Sequence, residues 1–127
     1  MTTLAGANLG LLALLVAHDL DHVFNQAPRD LAVQVIATGL VGITATIVVL
    51  VLALRRQALA APASVLVGFG NAVGFTAVHL APHWSAFSDP YPTLDLNPLS
   101  WLLIAAPMVA GIIVGVQGLR ALRPARA

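Results

Sequence analysis

His18-Asp19-Leu20-Asp21-His22 places four ionisable groups within five residues, at the end of an otherwise apolar run. A second pair, His79 and His83, repeats the same four-residue step in a later apolar run. These four are every histidine in the chain. An ionisable group near mid-bilayer costs at least ~2.5–3.5 kcal/mol, so such groups face a bundle interior and mark function. On a helix, residues at i and i+4 are neighbours and can grip one ion between them. Imidazole and carboxylate without sulfur suit Zn²⁺, Cu²⁺ or Fe. The chain has no cysteine, which removes thiolate sites, disulfides and thiol catalysis. The expected metal ligands are His18, His22, His79 and His83, together with Asp19 and Asp21. Zn²⁺ is the first candidate.

With His18 at 0°, a helix puts Asp21 at about −60°, Asn25 at about −20°, His22 at about +40° and Asp19 at about +100°. All five lie on one side. Asp19 and Asp21 could ligate the ion, orient a His N–H, or serve as catalytic base on a metal-bound water. The C-terminal end of a helix disfavours anions, so a compensating cation or proton is expected there. His18-Asp19-x-x-His22 differs from the zincin H-E-x-x-H in carrying Asp, one methylene shorter, and no third ligand has the protease spacing. Asp19-x-x-His22 also echoes the Glu-x-x-His of di-iron bundles, which need more carboxylates, and this chain has no Glu. Pro82 cannot donate to a helix, so His83 is expected on a turn rather than at ideal i+4 geometry. Interfacial histidines bonded to Asp and backbone carbonyls are the structural alternative.

The elements that must position these groups are membrane spans. Of 127 residues, 59% are hydrophobic and 9% charged, against ~25% charged in a soluble domain. Mean hydropathy is +0.92. A formal net charge of +1 gives no case for nucleic acid. Four apolar runs, at about 4–24, 31–54, 63–81 and 99–119, each approach the ~20 residues that cross the hydrocarbon as a helix. The expected fold is all-α: one four-transmembrane-helix bundle over residues 1–127, with the bilayer as its partner.

Asn25 to Asp30 reads as a polar turn, with Asp30 a candidate N-cap. Arg55-Arg56-Gln57 closes the second run, and Pro62 with Ser64 opens the third. His83 to Pro98 is a longer loop with three prolines. The N-terminus lacks a basic region ahead of Leu9–Ala17, unlike a signal peptide, and no lipidation motif is present. Arg55, Arg56, Arg120, Arg123 and Arg126 gather in the second connection and the C-terminal tail, and only Arg29 falls elsewhere. The positive-inside rule then puts both termini in the cytoplasm and both His pairs toward the outside. From Leu4 to His18 is 14 steps, ~21 Å of helix, which sets His18 in the outer leaflet.

Gly6/Gly10, Gly70/Gly74 and Gly111/Gly115 are small-xxx-small steps, expected to bring helix backbones close. Asn71 is expected to make a helix–helix hydrogen bond, and Asn8 a structural one. Trp84, Phe87, Tyr91 and Trp101 read as an aromatic belt. The alternative is that residues 84–91 fold over the site as a lid, with Asp89 adding an acid.

The string His79-Leu80-Ala81-Pro82-His83-Trp84-Ser85-Ala86-Phe87-Ser88-Asp89-Pro90-Tyr91, with His18–His22 upstream, resembles a group of short four-span bacterial membrane proteins. That resemblance implies the span layout and a bacterial plasma-membrane setting, and no activity. The paired His and Asp within spans is also loosely similar to membrane-embedded zinc hydrolases of the ceramidase and progestin-receptor type. Those have seven spans and a different ligand order, so only the general chemistry carries over.

Three functions follow. The leading one is a metal-dependent membrane enzyme acting on a lipid or other apolar substrate. The second is a non-catalytic copper or zinc carrier. The third is an electron carrier with haem b between two histidines. The short chain leaves little room for a substrate pocket, so a homodimer is expected.

Overall fold

The computed structural model describes residues 3–26 and 33–123. Arg29, Arg126, the candidate cap Asp30 and the first two residues of the expected second span lie outside the described residues. The described chain is helical. The helices are α1 (Thr3–Phe24), α2 (Val33–Leu54), α3 (Ala60–Phe75) and α4 (Pro98–Ala121). A π-helical turn, Thr76–Leu80, prolongs α3, and a 3₁₀ turn, Tyr91–Thr93, lies in the last connection.

Four of these segments, counting α3 with its π turn, are long and apolar enough to cross a membrane. Their outer faces suit lipid: Phe24, Val33, Val73 and Leu102 are all exposed. The starts and stops have local causes. Asn97 caps α4 by accepting from the Ser100 N–H at 3.0 Å, and Pro98 occupies the first helical turn, where its missing N–H costs nothing. Arg56, at φ 53°, makes the left-handed turn between α2 and α3.

Lipid tails are as apolar as Leu, so helices here associate through close packing and interhelical hydrogen bonds. The closest approach joins α3 to α4. A Cβ on Gly68 would stand 2.5 Å from the Gly115 nitrogen and 2.7 Å from the Gly111 oxygen. Gly111 and Gly115 thus behave as expected. Gly70 and Gly74 do not, because a Cβ on either would meet nothing within 4 Å. The partner of the α4 glycines is Gly68, and Gly70 and Gly74 line a cavity instead. Asn8 of α1 donates to Ser64 Oγ of α3 at 3.0 Å. Asn71 of α3 sits against Gly42 of α2, with Thr46 Oγ1 3.5 Å away. α1 also packs on α4 through Leu11, Leu15 and Val114.

The C-terminal ends of α1 and α3 meet at one end of the bundle, and the connection between α3 and α4 folds back over them. Arg55 and Arg56 follow α2, and Arg120 and Arg123 close α4, at the opposite end.

Candidate metal centre

His18, His22 and His79 converge. One ligand atom from each lies within 4.8 Å of the others. His18 and His22 come from successive turns of α1, and their Nε2 atoms are 3.1 Å apart. Two nitrogens bound at ~2.0–2.1 Å to a tetrahedral ion stand about 3.3–3.4 Å apart, close to that separation. The rings of His18 and His79 are 4.9 Å apart at their centroids, and those of His22 and His79 5.7 Å. His18 and His79 are buried, and His22 is only 9% exposed.

The π turn brings His79 to the cluster. Its wide turn is closed by the Ala81 N–H donating to the Thr76 carbonyl at 3.0 Å. Single π turns insert one residue into a helix and swing the following side chains, often at functional sites. Pro82 lies just beyond and offers no N–H to the carbonyls behind it. Those carbonyls are taken by the following loop. The Asp89 N–H donates to the Val78 carbonyl at 2.9 Å, and Trp84 Nε1 donates to the Ala77 carbonyl at 2.6 Å. The helix end therefore anchors residues 84–91 as a strap across the site.

The strap delivers two side chains. Asp89 Oδ2 lies 4.0 Å from His22 Nδ1 and 3.9 Å from His79 Nδ1, and the Asp89 backbone oxygen is 3.3 Å from His79 Nδ1. Tyr91 is fully buried. Its ring packs on His79 at 4.8 Å, and its Oη stands 3.2 Å from His22 Nε2. Gln26 Nε2 donates to Tyr91 Oη at 2.8 Å and to Asp21 Oδ2 at 2.6 Å.

A common orientation emerges. Nδ1 of His22 and of His79 faces Asp89, which leaves Nε2 of each for the shared space. His18 Nδ1 is buried without a hydrogen bond of ordinary geometry, and the acceptor acting on it at longer range is the Leu103 carbonyl of α4. Pro107, four residues on, cannot donate to that carbonyl. Imidazoles that bind metal usually give their other N–H to a carboxylate or backbone carbonyl, which fixes the tautomer and the ring plane. Asp89 stands on that side of two of the rings, with its backbone oxygen 3.3 Å from His79 Nδ1 and its carboxylate 4.0 Å from His22 Nδ1.

The remaining expected ligands lie elsewhere. His83 is exposed on the loop beyond Pro82 and is not among the three. Asp21 is buried and accepts from Asn25 at 2.7 Å and from Gln26, with Ser100 of α4 also bonding it. It braces the strap through Gln26 and Tyr91. Asp19 turns the other way, its carboxylate lying 3.1 Å from where a Cβ on Gly39 of α2 would stand. The helical wheel separates these two acids by about 160°, so one helix delivers them to different neighbours.

A cavity of about 870 Å³ lies between α1, α2 and α3, and His18, His22 and His79 line it beside Asp19. The rest of its wall is mostly apolar, including Leu15, Ile36, Leu66 and Phe75. The histidines thus have the strap on one side and the cavity on the other. The sequence reading passed over Gln26, the π turn and the Leu103 carbonyl. The signals for the last two were Pro82 and Pro107, since each proline strips a partner from the carbonyl four residues before it. Comparison with known proteins finds no matching family model, no matching curated protein and no matching solved structure.

Proposed function

We propose that this protein is a metal-dependent membrane enzyme. His18, His22 and His79 bind one transition ion, Zn²⁺ first, and its substrate is an apolar molecule drawn from the bilayer. One observation carries the reading: three buried or nearly buried imidazoles gather with a ligand atom of each within 4.8 Å of the others. Three protein ligands with a fourth position open is the pattern of catalytic zinc, whereas structural zinc takes four. An ion held there supplies Lewis acidity and a water acidic enough to ionise near neutral pH.

The chain's own groups have separable tasks. Asp89 holds two imidazoles in their ligating tautomer. Tyr91 Oη, fixed by Gln26, offers a hydrogen bond beside His22. Asp19, on the cavity side, is the acid placed to meet a substrate. The cavity favours an enzyme over a carrier, because a carrier has no use for an apolar chamber of this volume beside its ion. The haem reading lacks space. A porphyrin must lie flat between its two axial imidazoles, and here His18 packs on Phe75 at 4.8 Å and on His79 at 4.9 Å. The four described arginines at the end opposite the histidines support a cytoplasmic location for that end and an outward-facing site.

The test is elemental analysis of the protein purified in neutral detergent. Wild type and His83→Ala should each retain one ion per chain. His18→Ala and His79→Ala should retain none while eluting as the same folded species. Metal-free wild type, or loss of metal with His83→Ala as complete as with His18→Ala, overturns the proposal.

A further inference from the structure

Resting on the metal-enzyme reading, we infer the class of molecule that fills the cavity: a long-chain amine, its ammonium against Asp19 and its tail between α2 and α3. Three features lead there. The first is room. At about 870 Å³ the space lies near the top of the range for small-molecule sites. Gly70 and Gly74 line it, and a Cβ on either would meet no atom within 4 Å. These glycines do not serve helix contact, so the space they leave is available to a ligand.

The second feature is the lining. Leu15, Leu66, Val67 and Phe75 give an apolar wall inside a bundle already bathed in acyl chains. An alkyl tail passes from the surrounding acyl chains into such a space with no polar group to desolvate, whereas a polar solute must shed its hydration.

The third feature is charge. Asp19 lines the cavity, is only partly exposed, and makes no hydrogen bond or ion pair with the described residues. A carboxylate at this depth requires a partner. Asp19, Asp21, Asp89 and Asp95 all lie at the histidine end of the bundle, and the described arginines all lie at the other. Set against these acids, a divalent ion at the histidines leaves negative charge over. An ammonium on the ligand answers it at Asp19, where a fatty acid or phosphate head meets repulsion.

The test titrates spin-labelled stearylamine and spin-labelled stearic acid into the purified protein in neutral detergent, with metal content measured on every sample. Wild type should bind the amine about tenfold or more tightly than the acid, as expected for one hydrogen bond to a charged group. Asp19→Asn should erase that preference. Gly74→Leu should abolish binding of both probes, with one ion per chain and the elution profile unchanged; Gly70→Leu should do the same. Equal binding of amine and acid by wild type, a preference for the acid, or full binding by both Leu variants overturns the inference. His18→Ala separates the two readings: amine binding that persists in it after its metal is lost upholds the cavity assignment. If wild type holds no metal yet binds the amine through Asp19, the metal centre fails and the cavity assignment stands.

Discussion

Asp89→Ala is the sharpest perturbation of the centre, because the side chain can be removed without releasing the strap. The strap is pinned by the Asp89 backbone N–H on the Val78 carbonyl and by the Trp84 indole on the Ala77 carbonyl, and both bonds survive the substitution. What is lost is one carboxylate oxygen shared by two imidazoles, 4.0 Å from His22 Nδ1 and 3.9 Å from His79 Nδ1. His79 keeps the Asp89 backbone oxygen at 3.3 Å. Removing a group that orients a metal-binding histidine typically weakens metal affinity 10–100-fold, about 1.4–2.7 kcal/mol. Two histidines share this oxygen and His79 keeps its backbone acceptor, so the expected loss falls within that range, roughly 30-fold. Asp89→Asn keeps one oxygen acceptor and should lose less. Competition against a chromophoric zinc chelator at fixed pH measures both constants. Unchanged affinity in Asp89→Ala, alongside complete loss in His79→Ala, would refute the idea that the strap sets the ring orientations.

Two further outcomes follow from the packing. Gly68→Ala should destabilise the bundle by at least ~1–3 kcal/mol, since its methyl would press on the backbone of α4 at Gly111 and Gly115, which cannot turn aside; thermal unfolding in detergent reads this, and a neutral result would mean that α3 and α4 pack less closely than described. Tyr91→Phe should keep the metal but remove the Tyr91 Oη acceptor from Gln26 Nε2, costing about 1–3 kcal/mol of stability; loss of the ion from this variant would make Tyr91 a ligand instead.

The sequence made the spans and the paired histidines legible for a simple reason. Continuous apolar runs have one structural solution in lipid, and ionisable residues inside them stand out against that background. The spacing of His18 and His22 carried through directly, because α1 is a regular helix to Phe24. The spacing of His79 and His83 did not. It assumes a regular helix, and Pro82 ends the π turn before His83. Glycine spacing misled for a related reason. Gly68, Gly70 and Gly74 all lie on α3, and only the position of α4 decides which of them faces a backbone and which an open chamber. That is a tertiary fact with no local signal. The role of Asp89 was accessible only as an alternative, since a loop of sixteen residues between Leu80 and Asn97 has many ways to run.

The prolines explain why the strap runs as it does. A helix buried in lipid cannot leave a carbonyl without a partner, because no water reaches it. Pro82 and Pro107 each impose that problem once. At Val78 the solution is an N–H from the strap, and the residue that supplies it is Asp89, whose side chain then falls between two imidazoles. At Leu103 the carbonyl to which Pro107 cannot donate belongs to the backbone that acts on the third imidazole, His18. Each proline is thus tied to the backbone beside a histidine, Pro82 through Asp89 and Pro107 through Leu103. On this view Pro107→Ala, by returning the Leu103 carbonyl to its helix, should strengthen α4 while weakening the hold on the metal, a combination that simple damage to the fold would not produce.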